Sequence, residues 1–281
     1  MAQFHWYPGH MAKARRDIEE ELKLIDVVIE LLDARAPSAT KNPDIDKLAG
    51  SKKRIIILNK SDLSSKEGNA AWSKYYTDKG RDTAEVSLKD GAGIRMVKGL
   101  LLKAAEEKHK RDAAKGIRLK RPVRALVCGI PNVGKSTLIN SMAKKGVTKT
   151  GNKPGVTRGK QWISVSKEIE LLDSPGLLWP KIEDEDTAVY LALLGSMNDE
   201  AINTDELIVK LICLLKEKYP VILKEKYEAD PDETVEEILI KAAVKENMLK
   251  KGGVYDTDRA AKFLLDSFRS GRMGRITLEF P

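Results

Sequence analysis

The octapeptide Gly129-Ile130-Pro131-Asn132-Val133-Gly134-Lys135-Ser136 has the spacing G-x-x-x-x-G-K-[ST] that a chain uses to wrap a phosphate group. The apolar run Pro122 to Cys128 before it reads as a buried strand, and Thr137 to Ala143 after it reads as the opening of a helix. Glycines let the loop aim its backbone N–H groups inward, and the helix N-terminus adds the positive end of a dipole. Gly129, Pro131, Asn132, Val133, Gly134 and Thr137 would then form the cradle. Lys135 would reach the β- and γ-phosphates, and the Ser136 hydroxyl would ligate Mg²⁺.

A second pattern, Asn59-Lys60-Ser61-Asp62, fits N-K-x-D and follows the strand-like run Arg54 to Leu58. Guanine presents two adjacent donors, N1–H and N2–H₂, and an aspartate accepts both in a bidentate pair. Adenine lacks that pair, so Asp62 would select GTP over ATP. Asn59 can brace the loop, and the Lys60 stem can cover the ring. Val86-Ser87-Leu88-Lys89 ends another predicted strand, where Ser87 and Leu88 can offer a hydroxyl and backbone N–H toward the guanine carbonyl. Asp173-Ser174-Pro175-Gly176 fits D-x-x-G: Asp173 would hold Mg²⁺ through water, and Gly176, after Pro175, would meet the γ-phosphate. Thr157, in Pro154-Gly155-Val156-Thr157, would complete the Mg²⁺ shell when the γ-phosphate is present.

These residues need a frame. Ile25 to Asp33, Arg54 to Leu58, 83–87, 122–128, 161–166 and 168–173 read as strands. Helical patterns fall at 11–24, 65–79, 92–112 and after the phosphate loop. Alternation of this kind predicts an α/β fold with a parallel sheet and ligands at the strand carboxyl ends. Asp33 to Pro37 and 145–160 read as loops, and 113–121 as a connector. Beyond residue 180 the texture is helical, at 187–197, 205–218, 234–250 and 258–268. Two domains are therefore expected: 1–179 for the nucleotide and 180–281 as a small all-α unit.

The 281 residues are 42% hydrophobic, enough for a core, with no apolar run of membrane-spanning length. Residues 1–10 lack the apolar stretch of a secretory signal. Cys128 and Cys213 are far apart in apolar segments and read as buried free thiols, which points to a cytoplasmic chain. Net charge is +8, and it is unevenly placed. Residues 141–160 carry six Lys or Arg and no acid, and 103–124 carry nine against three acids. A polyanionic partner beyond the nucleotide is implied.

In this chain the base-reading elements precede the phosphate loop, which is the circularly permuted order. With Trp6-Tyr7-Pro8-Gly9-His10-Met11 at its start and helices at its end, the chain resembles the bacterial ribosome biogenesis GTPase A family over essentially its whole length. The resemblance implies a P-loop GTPase domain and a late role in maturation of the large (50S) ribosomal subunit. It also implies a C-terminal unit that contacts rRNA. Arg269, Arg272, Arg275, Lys250 and Lys251 are the cations expected to serve that contact. The expected partners are the precursor subunit and its rRNA, without DNA or a membrane span, and the chain is expected to be a monomer.

The position after D-x-x-G, where many such enzymes carry a water-orienting glutamine, is Leu177. The resemblance places His10, in Pro8-Gly9-His10-Met11, as the group that orients the water. It also matches Asn132 to the asparagine with which potassium-activated relatives hold K⁺. Arg158 is the rival cation, and His109 reads as a solvated side chain. Two other classes remain open at this level: a nucleotide-gated binding module with incidental hydrolysis, and an ATPase or small-molecule kinase, against which Asp62 argues.

Overall fold

The computed structural model describes residues 19–117, 121–143, 161–173, 182, 184–197 and 204–281. Its centre is a six-stranded sheet. β1 (Val27–Asp33), β2 (Lys53–Asn59), β3 (Asp82–Val86), β4 (Val123–Cys128), β5 (Gln161–Ser164) and β6 (Ile169–Asp173) lie in the order β3-β2-β1-β4-β6-β5. β3, β2, β1, β4 and β6 run parallel, while β5 returns antiparallel to β6 at the edge. The expected all-parallel sheet is corrected there: residues 165–168 turn tightly, with Val165 and Ser166 bonded to Ile169, so the short connection forces a hairpin.

Strands buried on both faces explain the unbroken apolar runs. In β2 the side chains alternate. Ile55 and Ile57 enter one core with Ile29, Leu31, Val97 and Leu101, while Ile56 and Leu58 enter a second with Leu32, Trp72 and Tyr76. Each such Leu or Ile contributes about 1.5–3 kcal/mol by leaving water. Glu30 shares the second face and is buried against Arg54, which also reaches Asp46.

Helices cover the faces: α1 (Pro43–Ala49), α2 (Lys66–Asp78), α3 (Ile94–Ala114) and α4 (Lys135–Met142). Sequence patterning misses α1. Seven residues are too few for a periodic stripe, although Asn42 caps Asp44 N–H and Pro43 opens the first turn. His109 is also corrected: its Nε2 lies 3.1 Å from the Arg121 carbonyl oxygen, which bridges α3 to the segment entering β4.

Five further helices follow: α5 (Glu185–Leu193), α6 (Thr204–Lys218), α7 (Pro220–Tyr227), α8 (Val235–Lys245) and α9 (Thr257–Ser270). α7 is the other unforeseen helix, split from α6 by Tyr219 alone and started by Pro220. α6 buries Leu207, Ile208, Leu211, Ile212 and Leu215, which leaves Cys213 exposed rather than buried as expected; Cys128 is buried. These helices share a core with Met273, Ile276 and Leu278, and with Ala36 and Ala39 from the loop after β1. The chain after α9 runs back across the sheet domain. Ile276 N–H donates to Leu63 O and Leu278 N–H to Arg35 O, and the Trp72 indole donates to Glu279 O.

Candidate functional site

Register sets the site. Asp33 pairs with Asn59, Asn59 with Val86, and Val127 with Asp173, so the loops after β1, β2, β3, β4 and β6 leave one edge of the sheet. β1 to β3 build outward on one side and β4 crosses to the other, making the β1/β4 gap the switch point where such sheets bind ligands.

The phosphate-loop segment leaves β4 at that gap. A Cβ on Gly129 would meet the Leu31 carbonyl oxygen at 2.6 Å, and one on Gly134 (φ +108°) would meet Asn59 Nδ2 at 2.5 Å. The loop thus packs directly on the β1 backbone and on the Asn59 side chain, which leaves no room for a Cβ at either position. Asn132 holds a left-handed φ of 60°, and its Nδ2 donates to the Gly195 carbonyl at 2.7 Å. Lys135, Ser136 and Thr137 form the first turn of α4, whose N-terminal amides face outward from the helix start. Lys135 Nζ donates to Ile130 O at 2.8 Å. Burial lowers its pKa to about 8, against the upward pull of the Asp173 carboxylate.

Asn59 is the last residue of β2. Its Nδ2 donates to Val133 O at 2.7 Å and its Oδ1 accepts from Leu88 N–H at 3.3 Å, so one side chain joins three loops. Lys60 is also left-handed (φ 60°), and its Nζ lies 2.8 Å from Asp33 Oδ2. Burial pulls the Lys60 pKa down while Asp33 pulls it up, and the net direction is down. Burial would raise Asp33, but Arg35 and Lys60 hold it well below the usual carboxylate range. Ser61 O accepts from Asn69 Nδ2 at 2.9 Å. The donors expected of Ser87 and Leu88 are engaged elsewhere. Ser87 Oγ donates to Asp90 at 2.8 Å, Ser87 N–H to Ala92 O, and Leu88 N–H to Asn59; Leu88 is among the residues lining the cavity.

A cavity of about 910 Å³ lies between these loops, a volume in the range of small-molecule sites. Asn59, Lys60, Asp62, Leu88 and Lys89 line it from the β2 and β3 loops, and Asn132, Gly134 and Thr137 from the phosphate loop. Sequence reasoning missed the remaining wall: Leu63, the segment after α5 with Leu194, Gly195 and Met197, and Asp266, Arg269, Ser270 and Arg272 around the end of α9. No local pattern marks these residues, and all but Leu63 arrive from far along the chain. Two of the arginines expected to meet RNA bond to backbone carbonyls of the chain itself, Arg269 half-buried and Arg275 at the surface. Arg269 donates to the Leu193 and Ala192 carbonyls at 3.0 and 2.8 Å, and Arg275 to Ser61 O at 2.6 Å. Arg272 lies 5.4 Å over the Phe263 ring. Lys250 pairs with Asp256 and Asp258.

The oxygen donors suit a hard dication. Asp173, 1% exposed, sits at the end of β6 beside β4, close enough to influence Lys135, with the Ser136 hydroxyl one residue further on. His10, Thr157, Arg158, Pro175, Gly176 and Leu177 lie outside the described residues. No helix among the described residues is long and apolar enough to cross a membrane.

Residues 124–249 match a family model described as 50S ribosome-binding GTPase. A ribosome biogenesis GTPase A of Bacillus cereus is 43% identical over 277 residues, covering 98% of this chain and 93% of the relative. That of Thermotoga maritima is 32% identical, covering 98% and 94%. The solved structure of GNP-bound YlqF from T. maritima superposes with a TM-score of 0.66 at 30% identity, covering 96% of this chain and 98% of that one. A GDP-bound YlqF structure gives 0.67 at 29%, covering 95% and 99%.

Proposed function

The chain belongs to the ribosome biogenesis GTPase A family, and from that footing we propose that it hydrolyses GTP at the β1/β4 switch point to complete a late step of large-subunit assembly. It binds the precursor subunit and its rRNA in the GTP state and leaves after hydrolysis. The observation that carries the reading is the single cavity shared by the N-K-x-D loop and the phosphate loop, with Asn59 bonded to Val133 between them.

In this reading Asp62 accepts from the guanine edge, Lys60 covers the ring, and the backbone of 129–137 wraps the phosphates, with Lys135 exchanging the Ile130 carbonyl for phosphate oxygen. Ser136, Asp173 and Thr157 would hold Mg²⁺, which would supply charge stabilisation of the transferring phosphoryl group. The Asn132 amide nitrogen is turned to Gly195, and its amide oxygen would be the group to hold a K⁺. His10 orients the attacking water, a task Leu177 cannot perform. Residues 180–281 act as the rRNA-contacting unit in the cytoplasm, with Lys251 and Arg272 among its cations. The nucleotide unit, 1–179, meets it around the cavity, whose α9 wall belongs to the helical unit.

Co-sedimentation with precursor large subunits tests this. The chain should pellet with the particles in the presence of a non-hydrolysable GTP analogue and stay in the supernatant with GDP. Equal pelleting in the two nucleotides would remove the cycle from the account.

A further inference from the structure

We propose that Asp33 and Arg35 form a positioning relay between the base-reading loop and the C-terminal end of α9, so that nucleotide binding and the seating of that helix end favour each other. The inference rests on reading residues 59–62 as the base loop.

β1 delivers Asp33 to the switch point, directly opposite Asn59 in register. Its carboxylate is divided between two partners. Oδ1 accepts from Arg35 N–H at 3.1 Å and Arg35 Nε at 2.9 Å. Oδ2 accepts from Arg35 Nη2 at 2.8 Å and lies 2.8 Å from Lys60 Nζ. Arg35, 1% exposed, uses its remaining arm in the opposite direction. Nη1 reaches the Phe268 and Arg269 carbonyls at 3.4 Å each, and the guanidinium sits 5.2 Å over the Phe268 ring.

Those two carbonyls belong to the last turn of α9, where C=O groups lie beyond the i+4 ladder; Phe268 O also accepts from the Gly271 N–H at 3.2 Å, so Arg35 shares it with the helix cap. Lys60 and Arg269, at the two ends of the relay, line the same cavity. A second clasp runs beside it: Arg275 holds Ser61 O at 2.6 Å, and Thr277 Oγ1 lies 2.9 Å from the hydroxyls of both Ser64 and Ser65. The base loop is thus gripped from the α9 side on both sides of Asp62.

The planar guanidinium fork is what makes the relay specific. It grips a carboxylate with Nε and Nη2 and still has Nη1 to spend on the helix end, which an ammonium group cannot do in one rigid geometry. When guanine fixes Lys60 and Asp62, Asp33 is fixed with them, and through Arg35 the end of α9. By linkage, a seated α9 end then returns the same factor as nucleotide affinity.

Amide hydrogen exchange of the full chain, with and without saturating GDP, reads this coupling. In the wild-type chain GDP should slow exchange across residues 266–275 by at least roughly five-fold. In Arg35→Lys, which keeps the charge beside Asp33, that slowing should vanish and GDP affinity should fall by a similar factor. If Arg35→Lys does not fold, Lys60→Gln removes the other end and should abolish the same slowing at saturating GDP. Undiminished slowing in a folded variant would overturn the relay and assign the effect to the α9 side chains that line the cavity. Failure of the wild-type chain to bind GDP would instead overturn the base-loop reading, and the relay with it.

Discussion

The Asn59 side chain donates from Nδ2 to the Val133 carbonyl at 2.7 Å, joining the base-reading loop after β2 to the phosphate loop after β4 across the end of β1. The two bonded residues are 74 positions apart in sequence. Asn59→Ala leaves the Val133 carbonyl buried and unpaired, at a cost of about 1–3 kcal/mol. GDP affinity measured by calorimetry should fall roughly ten- to hundred-fold. An unchanged affinity would mean that the loops hold their positions independently.

Asp62 lines the cavity, and the proposal gives it the choice of base. Asp62→Asn replaces two acceptor oxygens with one acceptor and one donor. GTP binding should drop by roughly 10³-fold or more, while a xanthine nucleotide, with a carbonyl in place of the exocyclic amine, should bind the variant better than GTP does. Retained preference for guanine would move base reading to another residue.

His10→Ala should lower turnover by roughly 10²- to 10⁴-fold and leave GTP affinity within a few-fold, because a water-orienting group acts only in the chemical step. Equal losses in affinity and turnover would make His10 a binding residue.

The Asp33 carboxylate gives the chain a predictable acid response. Its folded pKa is held below the unfolded value near about 3.9 by Arg35 and Lys60. Its contribution is therefore fully present above about pH 4 and is lost as pH falls toward the folded value. Asp33→Asn strands the buried Arg35 guanidinium and leaves the half-buried Lys60 without its carboxylate, and should cost about 3–5 kcal/mol at neutral pH. Urea unfolding of both chains should show that gap narrowing below about pH 4. A gap independent of pH would mean the loss is one of packing.

Much of this was legible in sequence. The strands carrying the site are β-branched or leucine-rich runs such as Arg54 to Leu58, and motif spacing located both loops at the correct sheet edge. What stayed hidden depends on distant partners. Asp33-Ala34-Arg35 reads as an ordinary loop because Phe268, which Arg35 meets, is 233 residues away. Arg269 and Arg275 look like free cations until α9 places the first against Ala192 and Leu193 and the segment after it brings the second to Ser61. Likewise α1 and α7 are too short for a hydrophobic stripe to show above noise, and only Pro43 and Pro220 mark their starts.

The central claim is that hydrolysis here serves large-subunit assembly, and single-turnover GTP hydrolysis with and without large-subunit particles tests it most directly. The account predicts that the particles raise the rate by at least roughly ten-fold, a barrier change of about 1.4 kcal/mol. The same rate in their presence and absence would contradict it.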